Sequence, residues 1–148
     1  MKNKLTVMIA AVGMLAGAVP MFAHHSFAAE YDINKPLTIK GTVSKVEWMN
    51  PHAYFYVDAK DEKTGKMTTF ACETGSPNAL MRSGWTRNSL KIGDEVIVDA
   101  FGAKDGSTTV NARTVKLSDG RKVFAGSSND GGPSAGTTLP GAQLEKGK

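Results

Sequence analysis

Through the middle of the chain apolar and polar residues alternate, and a period of two marks a strand buried on one face. Leu37, Ile39, Gly41 and Val43 share one face, after which the apolar positions change phase to Val46 and Trp48. That change predicts a long first strand re-aimed by a bulge near Ser44 and Lys45, and a strand so bent can serve two sheets. Asn50-Pro51-His52 interrupts the pattern. Beyond it Ala53, Phe55, Val57 and Ala59 line one face while Tyr54, Tyr56 and Asp58 line the other, which predicts a half-buried second strand. Lys63-Thr64-Gly65-Lys66 supplies the turn to a third strand from Met67 to Thr74, with Phe70 and Cys72 on a common face.

The period then changes. Ser76 suits a helix N-cap, Pro77 the first helical position and Gly84 the stop, so Pro77 to Arg82 reads as one short helix. Glu95 to Phe101 is the fourth strand, Asp105-Gly106 turns it into a fifth from Thr108 to Leu117, and Asp119-Gly120 adds a short strand through Lys122, Val123 and Phe124. Three strands, a helix and two strands is the order of an OB barrel, whose helix plugs one end between the third and fourth strands. The fold class expected is therefore all-β with one short helix: a five-stranded OB-like barrel over residues 37–126 carrying a short extra C-terminal strand. An SH3-like barrel or a small sandwich shares most of these strands.

The two ends read differently. Lys2 and Lys4 precede an uninterrupted apolar stretch from Leu5 to Ala18, the charged and apolar regions of a secretory signal. A transmembrane helix needs about 20 apolar residues, and Pro20, His24 and His25 close this one early, so the mature chain is expected to be no integral membrane protein. A cut after Ala23 makes residues 1–23 the signal and starts a periplasmic chain at His24; cuts after Ala18 or Ala28 also leave small residues, and the last would remove both histidines. Residues 24–36 read as an N-terminal arm, irregular from Ser26 to Pro36, because Asn34-Lys35-Pro36 is turn chemistry. From Ser127 on, Gly, Ser, Pro and Thr dominate, which predicts a disordered tail over 127–148.

Charge and cysteine narrow the function classes. The chain has 18 Lys and Arg against 14 Asp and Glu, and removing Lys2 and Lys4 leaves 16 against 14, or +2. Half of the net positive charge belongs to the leader and the remainder is nearly neutral, so no nucleic-acid partner is expected. One cysteine, Cys72, allows no internal disulfide; it alternates with Phe70, lacks CxxC spacing and reads as a small buried hydrophobe.

Three histidines carry the candidate metal chemistry: His24, His25 and His52. If the mature chain starts at His24, its α-amine and imidazole chelate one ion and a second imidazole completes a T-shaped nitrogen set that suits Cu(II). A cut one residue earlier places His25 third, where terminal amine, two backbone amides and imidazole form a square plane for Cu(II) or Ni(II). The bland alternative is a frayed polar terminus with adventitious metal affinity. Extended, the arm from His24 to Leu37 reaches about 45 Å, far enough for His52 to join. Met49 and Glu73 are further candidates, against readings as a packing residue and a solvated strand end.

A second constellation is aromatic. Trp48, Tyr54 and Tyr56 suit a ligand-binding face, because the outer face of the second and third OB strands stacks bases or sugars on aromatic rings; cross-strand tyrosines also simply stabilise sheets. Trp85 reads as packing under the helix, and Arg82 and Arg87 as solvated. G-x-S-x-G, H-E-x-x-H and phosphate-binding glycine loops do not occur. Binding is therefore favoured over catalysis, with a copper oxidase built on a terminal histidine brace left open. Two functions follow: a periplasmic copper-binding protein, or a non-metal module gripping a peptide, glycan or partner protein.

His24-His25-Ser26-Phe27-Ala28-Ala29-Glu30-Tyr31-Asp32, Gly41-Thr42-Val43, Glu47-Trp48, Asn50-Pro51-His52-Ala53, Gly75-Ser76-Pro77-Asn78, Gly84-Trp85 and Asp119-Gly120-Arg121-Lys122 form a further pattern. In these segments the chain resembles the exported proteobacterial proteins grouped as domain of unknown function 6152. The resemblance spans His24 to about Ser127 and implies export with cleavage after Ala23, while assigning no activity. Cys72 departs from the larger or aliphatic residue expected there.

Overall fold

The computed structural model describes residues 26–126. The expected signal, His24, His25 and the expected tail lie outside them. Within them run α1 (Phe27–Glu30), β1 (Tyr31–Glu47), β2 (Tyr54–Lys60), β3 (Met67–Glu73), α2 (Pro77–Arg82), β4 (Glu95–Ala103), β5 (Thr109–Leu117) and β6 (Lys122–Phe124).

β1 is the organising strand. Its first part pairs antiparallel with β4 from Tyr31↔Ala103 to Thr42↔Glu95, and its last part with β2 from Thr42↔Asp58 to Glu47↔Tyr54. The β1–β2 register slips between Val43 and Lys45, where the change of hydrophobic phase predicts a bulge. Gly41 sits at this change of partner because nothing larger fits: a Cβ there would lie 2.3 Å from the Asp58 carbonyl oxygen. β2 pairs with β3, β4 with β5, and a short parallel pairing, Ala71↔Thr109 to Glu73↔Asn111, joins β3 to β5. The ring β1-β2-β3-β5-β4-β1 is the closed order of an OB-like barrel, and β6 adds to β5 outside it.

Inward residues fill the barrel with Ile39, Val43, Phe55, Val57, Cys72, Val96, Val98, Val110 and Val115. α2 closes one end, its Ser76 hydroxyl accepting from the Ala79 N–H, a cap that satisfies one of the helix's orphan donors. Its Leu80 and the following Trp85 join the main core, and the indole N–H donates to the Phe124 carbonyl at 2.9 Å.

The lead-in differs from expectation. Ser26 to Pro36 is irregular only in part: Phe27–Glu30 form one helical turn and β1 starts at Tyr31, well before Leu37. Asn34 and Lys35 fall in the irregular stretch between the Tyr31↔Ala103 and Pro36↔Phe101 pairs, where neither registers with β4 and the Asn34 N–H donates to Asp32 Oδ1, as turn residues do. A second apolar cluster, Phe27, Tyr31, Phe101 and Ala103, fixes this segment. Phe27 meets Phe101 edge-on with ring centroids 5.5 Å apart, and Lys104 donates its backbone N–H to the Glu30 carbonyl and its ammonium to that of Ala28.

Candidate functional site

The end of the barrel where β1 turns into β2 and β3 finishes gathers polar side chains around one carboxylate. Glu73 and Tyr54 are direct partners across β2 and β3, and because Phe55 and Cys72 point inward, both of them lie on the outer face. Glu73 is nevertheless only 8% exposed, so it is not the solvated strand end that its position suggests. Tyr54 donates its hydroxyl to Glu73 Oε2 at 2.6 Å, and Tyr31, arriving from the far end of β1, donates to the same oxygen at 2.8 Å. Burial first, then the adjacent Glu73 charge and hydrogen bond, hold both phenols well above the ordinary tyrosine range.

The third partner is His52, supplied by the loop after the cis Asn50–Pro51 bond. Its Nδ1 lies 2.9 Å from the Thr74 carbonyl oxygen and 3.4 Å from Glu73 Oε1. A carbonyl and a carboxylate accept only, so Nδ1 carries the proton and, in the neutral ring, Nε2 keeps its lone pair. Thr74 is held in turn: its hydroxyl and backbone N–H both donate to the Ala53 carbonyl. Among the described residues, His52 is the one group of potential positive charge that reaches Glu73. Two phenol hydrogen bonds and the neighbouring imidazole stand where water would otherwise solvate this buried carboxylate.

The remaining candidates divide. Tyr56 is also on the outer face, but its hydroxyl donates to Glu47 Oε2 at 2.9 Å, and Lys45 pairs with Glu47 Oε1 at 2.6 Å while lying over the Tyr56 ring. That hydrogen bond raises the Tyr56 phenol, and Lys45 with Tyr56 lowers the Glu47 carboxyl. Trp48 packs partly buried against the main core. Met49 is 48% exposed. Cys72 is fully buried, which pushes its thiol up to about 12. Thus Tyr54 joins His52 through Glu73, whereas Tyr56 and Trp48 belong to neighbouring groupings. Tyr31 is the site residue that strand patterns miss, because its role depends on where β1 begins; its place beside the histidine pair in the HHSFAAEY segment was the available signal. No group of three or more His, Cys, Asp or Glu side chains is assembled among the described residues, and no helix there is long and apolar enough to cross a membrane.

A family model described as a family of unknown function, DUF6152, matches residues 11–112. The chain belongs to the DUF6152 family. The match includes every residue of the His52–Glu73–Tyr54–Tyr31 grouping as well as His24 and His25, and it ends inside β5, so the Asp119–Lys122 segment lies beyond it. No curated protein and no solved structure matches this DUF6152 chain.

Proposed function

We propose that this DUF6152 protein is an exported, periplasmic binding protein that takes up one Cu(II) ion at the barrel end, through the α-amine and imidazole of His24 with help from His25 or His52. The observation that carries this reading is the buried Glu73 carboxylate behind His52. Such a carboxylate orients a metal-ligating imidazole, with Nδ1–H turned inward and Nε2 left to the metal. The fold also supports a cut ahead of Phe27, because a cut after Ala28 would discard a ring that fills the second apolar cluster. His24 is three residues from Phe27, so its Cα stays within about 11 Å of an anchored point. Phe27 in turn packs on Tyr31, with ring centroids 5.8 Å apart, and Tyr31 reaches Glu73.

The test begins with the secreted protein and mass measurement of its first residue, followed by copper titration with electron paramagnetic resonance. Tight one-to-one uptake with nitrogen ligands is expected, weakened in His24→Ala and in His52→Ala. Met67→Ala, exposed at the start of β3, serves as the control. Equal binding in all of these variants refutes the copper reading.

A second reading draws on the half-buried Tyr54 and Tyr56 rings on the outer face of β2. There the chain is a non-metal module that grips a peptide, glycan or partner protein. Quenching of tryptophan fluorescence by such a partner, unchanged by a chelator, distinguishes it.

A further inference from the structure

We infer that Glu73 is a positioning residue for metal ligation by His52: clamped by Tyr31 and Tyr54, its carboxylate fixes the ring with Nε2 available and tilts the site toward Cu(II) over Cu(I). This inference rests on the copper reading above and assigns Glu73 a role distinct from that of a ligand.

The geometry separates the two roles. Oε2 accepts from both phenols, at 2.6 and 2.8 Å, and Oε1 faces Nδ1–H at 3.4 Å, so each carboxylate oxygen is already turned toward a donor within the protein. His52 is constrained from the other side by the Thr74 carbonyl at 2.9 Å. The hydrogen bond to Thr74, with the Glu73 carboxylate beside the same ring nitrogen, fixes the tautomer and restricts the ring's orientation, and an imidazole so held loses little freedom when a metal arrives. The negative charge on Glu73 adds a preference of sign. It lies one imidazole away from the metal, in a site with a side chain only 10% exposed, and stabilises a dication more than a monocation. Tyr31 and Tyr54 contribute by holding the carboxylate in place, and Tyr31 ties that arrangement to the segment bearing the terminal histidines.

The test compares the full secreted chain with Glu73→Gln, His52→Ala and Tyr54→Phe, using copper alone as the probe. Cu(II) and Cu(I) affinities, the Cu(II)/Cu(I) midpoint potential and the imidazole nitrogen couplings are read for each. Glu73→Gln is expected to lower Cu(II) affinity tenfold to hundredfold, as loss of a supporting group commonly does, with little change for Cu(I). A tenfold loss confined to Cu(II) raises the potential by about 59 mV. His52→Ala is expected to remove one imidazole coupling, and Tyr54→Phe to shift the potential in the same direction as Glu73→Gln but less.

Wild-type protein that takes up no copper overturns the proposed function and this inference with it. Copper uptake with His52→Ala and Glu73→Gln both at wild-type values leaves the terminal-histidine reading standing and overturns the inference alone. A weakened His52→Ala beside an unchanged Glu73→Gln also overturns it. Should Glu73→Gln fail to fold, Tyr54→Phe decides, because it keeps the ring and removes one clamp; an unchanged potential there overturns the inference.

Discussion

Phe27→Ala isolates the contact that joins the N-terminal segment to the barrel. Phe27 is 5% exposed and packs against Tyr31 and Phe101 in a cluster separate from the main core. Burying a phenylalanine is worth roughly 1.5–3 kcal/mol, and an edge-on aromatic pair adds about 0.5–1.5 kcal/mol. Its loss therefore costs the docked segment about 3 kcal/mol, or about a hundredfold in the equilibrium between docked and undocked forms. The reporter is the Lys104 amide, which donates to the Glu30 carbonyl and is freed when α1 lifts. Native-state hydrogen exchange of that amide is expected to accelerate about a hundredfold, while the amides of Val98 and Val115 in the barrel change much less. Equal acceleration at all three positions would show that α1 and the barrel open as one unit and refute the separate-cluster reasoning. No acceleration at Lys104 would show that the ring contributes little to docking.

Two further predictions follow from close packing and from ionisation. Gly41→Ala, whose new Cβ would meet the Asp58 carbonyl oxygen at 2.3 Å and Val57 Cγ1 at 2.8 Å, is expected to destabilise the fold by about 1–3 kcal/mol; an unchanged urea midpoint contradicts this. All three tyrosines are shifted upward, Tyr31 and Tyr54 chiefly by burial and Tyr56 chiefly by its hydrogen bond to Glu47. Their folded values lie above the unfolded value of 10.0, so their stabilising contribution is complete below that pH and is lost as pH rises beyond it. Phenolate absorbance from Tyr31 and Tyr54 is expected to rise only together with alkaline unfolding. A titration centred near the ordinary tyrosine value in a chain that stays folded refutes the shifts.

Much of the barrel was legible because local rules and global fold agree. The alternation through Phe55 and Val57, the phase change at Ser44-Lys45, the Ser76-Pro77 helix start and the glycine turns each name their own element. Closure of β3 on β5 is a pairing of distant segments, but the order of elements already pointed to it. The lead-in was legible in part: Asn34 and Lys35 break the register with β4 as turn residues do, whereas Tyr31 pairs with Ala103 only because β4 runs on past Phe101.

What the sequence by itself determined was therefore the set of elements, the inward face of each, the burial of Cys72 and the isolation of the histidines in two short segments. Only tertiary structure decided that Glu73, at a strand end, is buried, that Tyr31 and Tyr54 converge on one of its oxygens, and that His52 turns Nδ1 toward Thr74 and Glu73. The physical reason is distance along the chain. Tyr31 and Glu73 are 42 residues apart, and no periodicity reports on a hydrogen bond made by closing a barrel. Such a bond exists because strand register sets both groups within reach, and register is a property of the whole sheet.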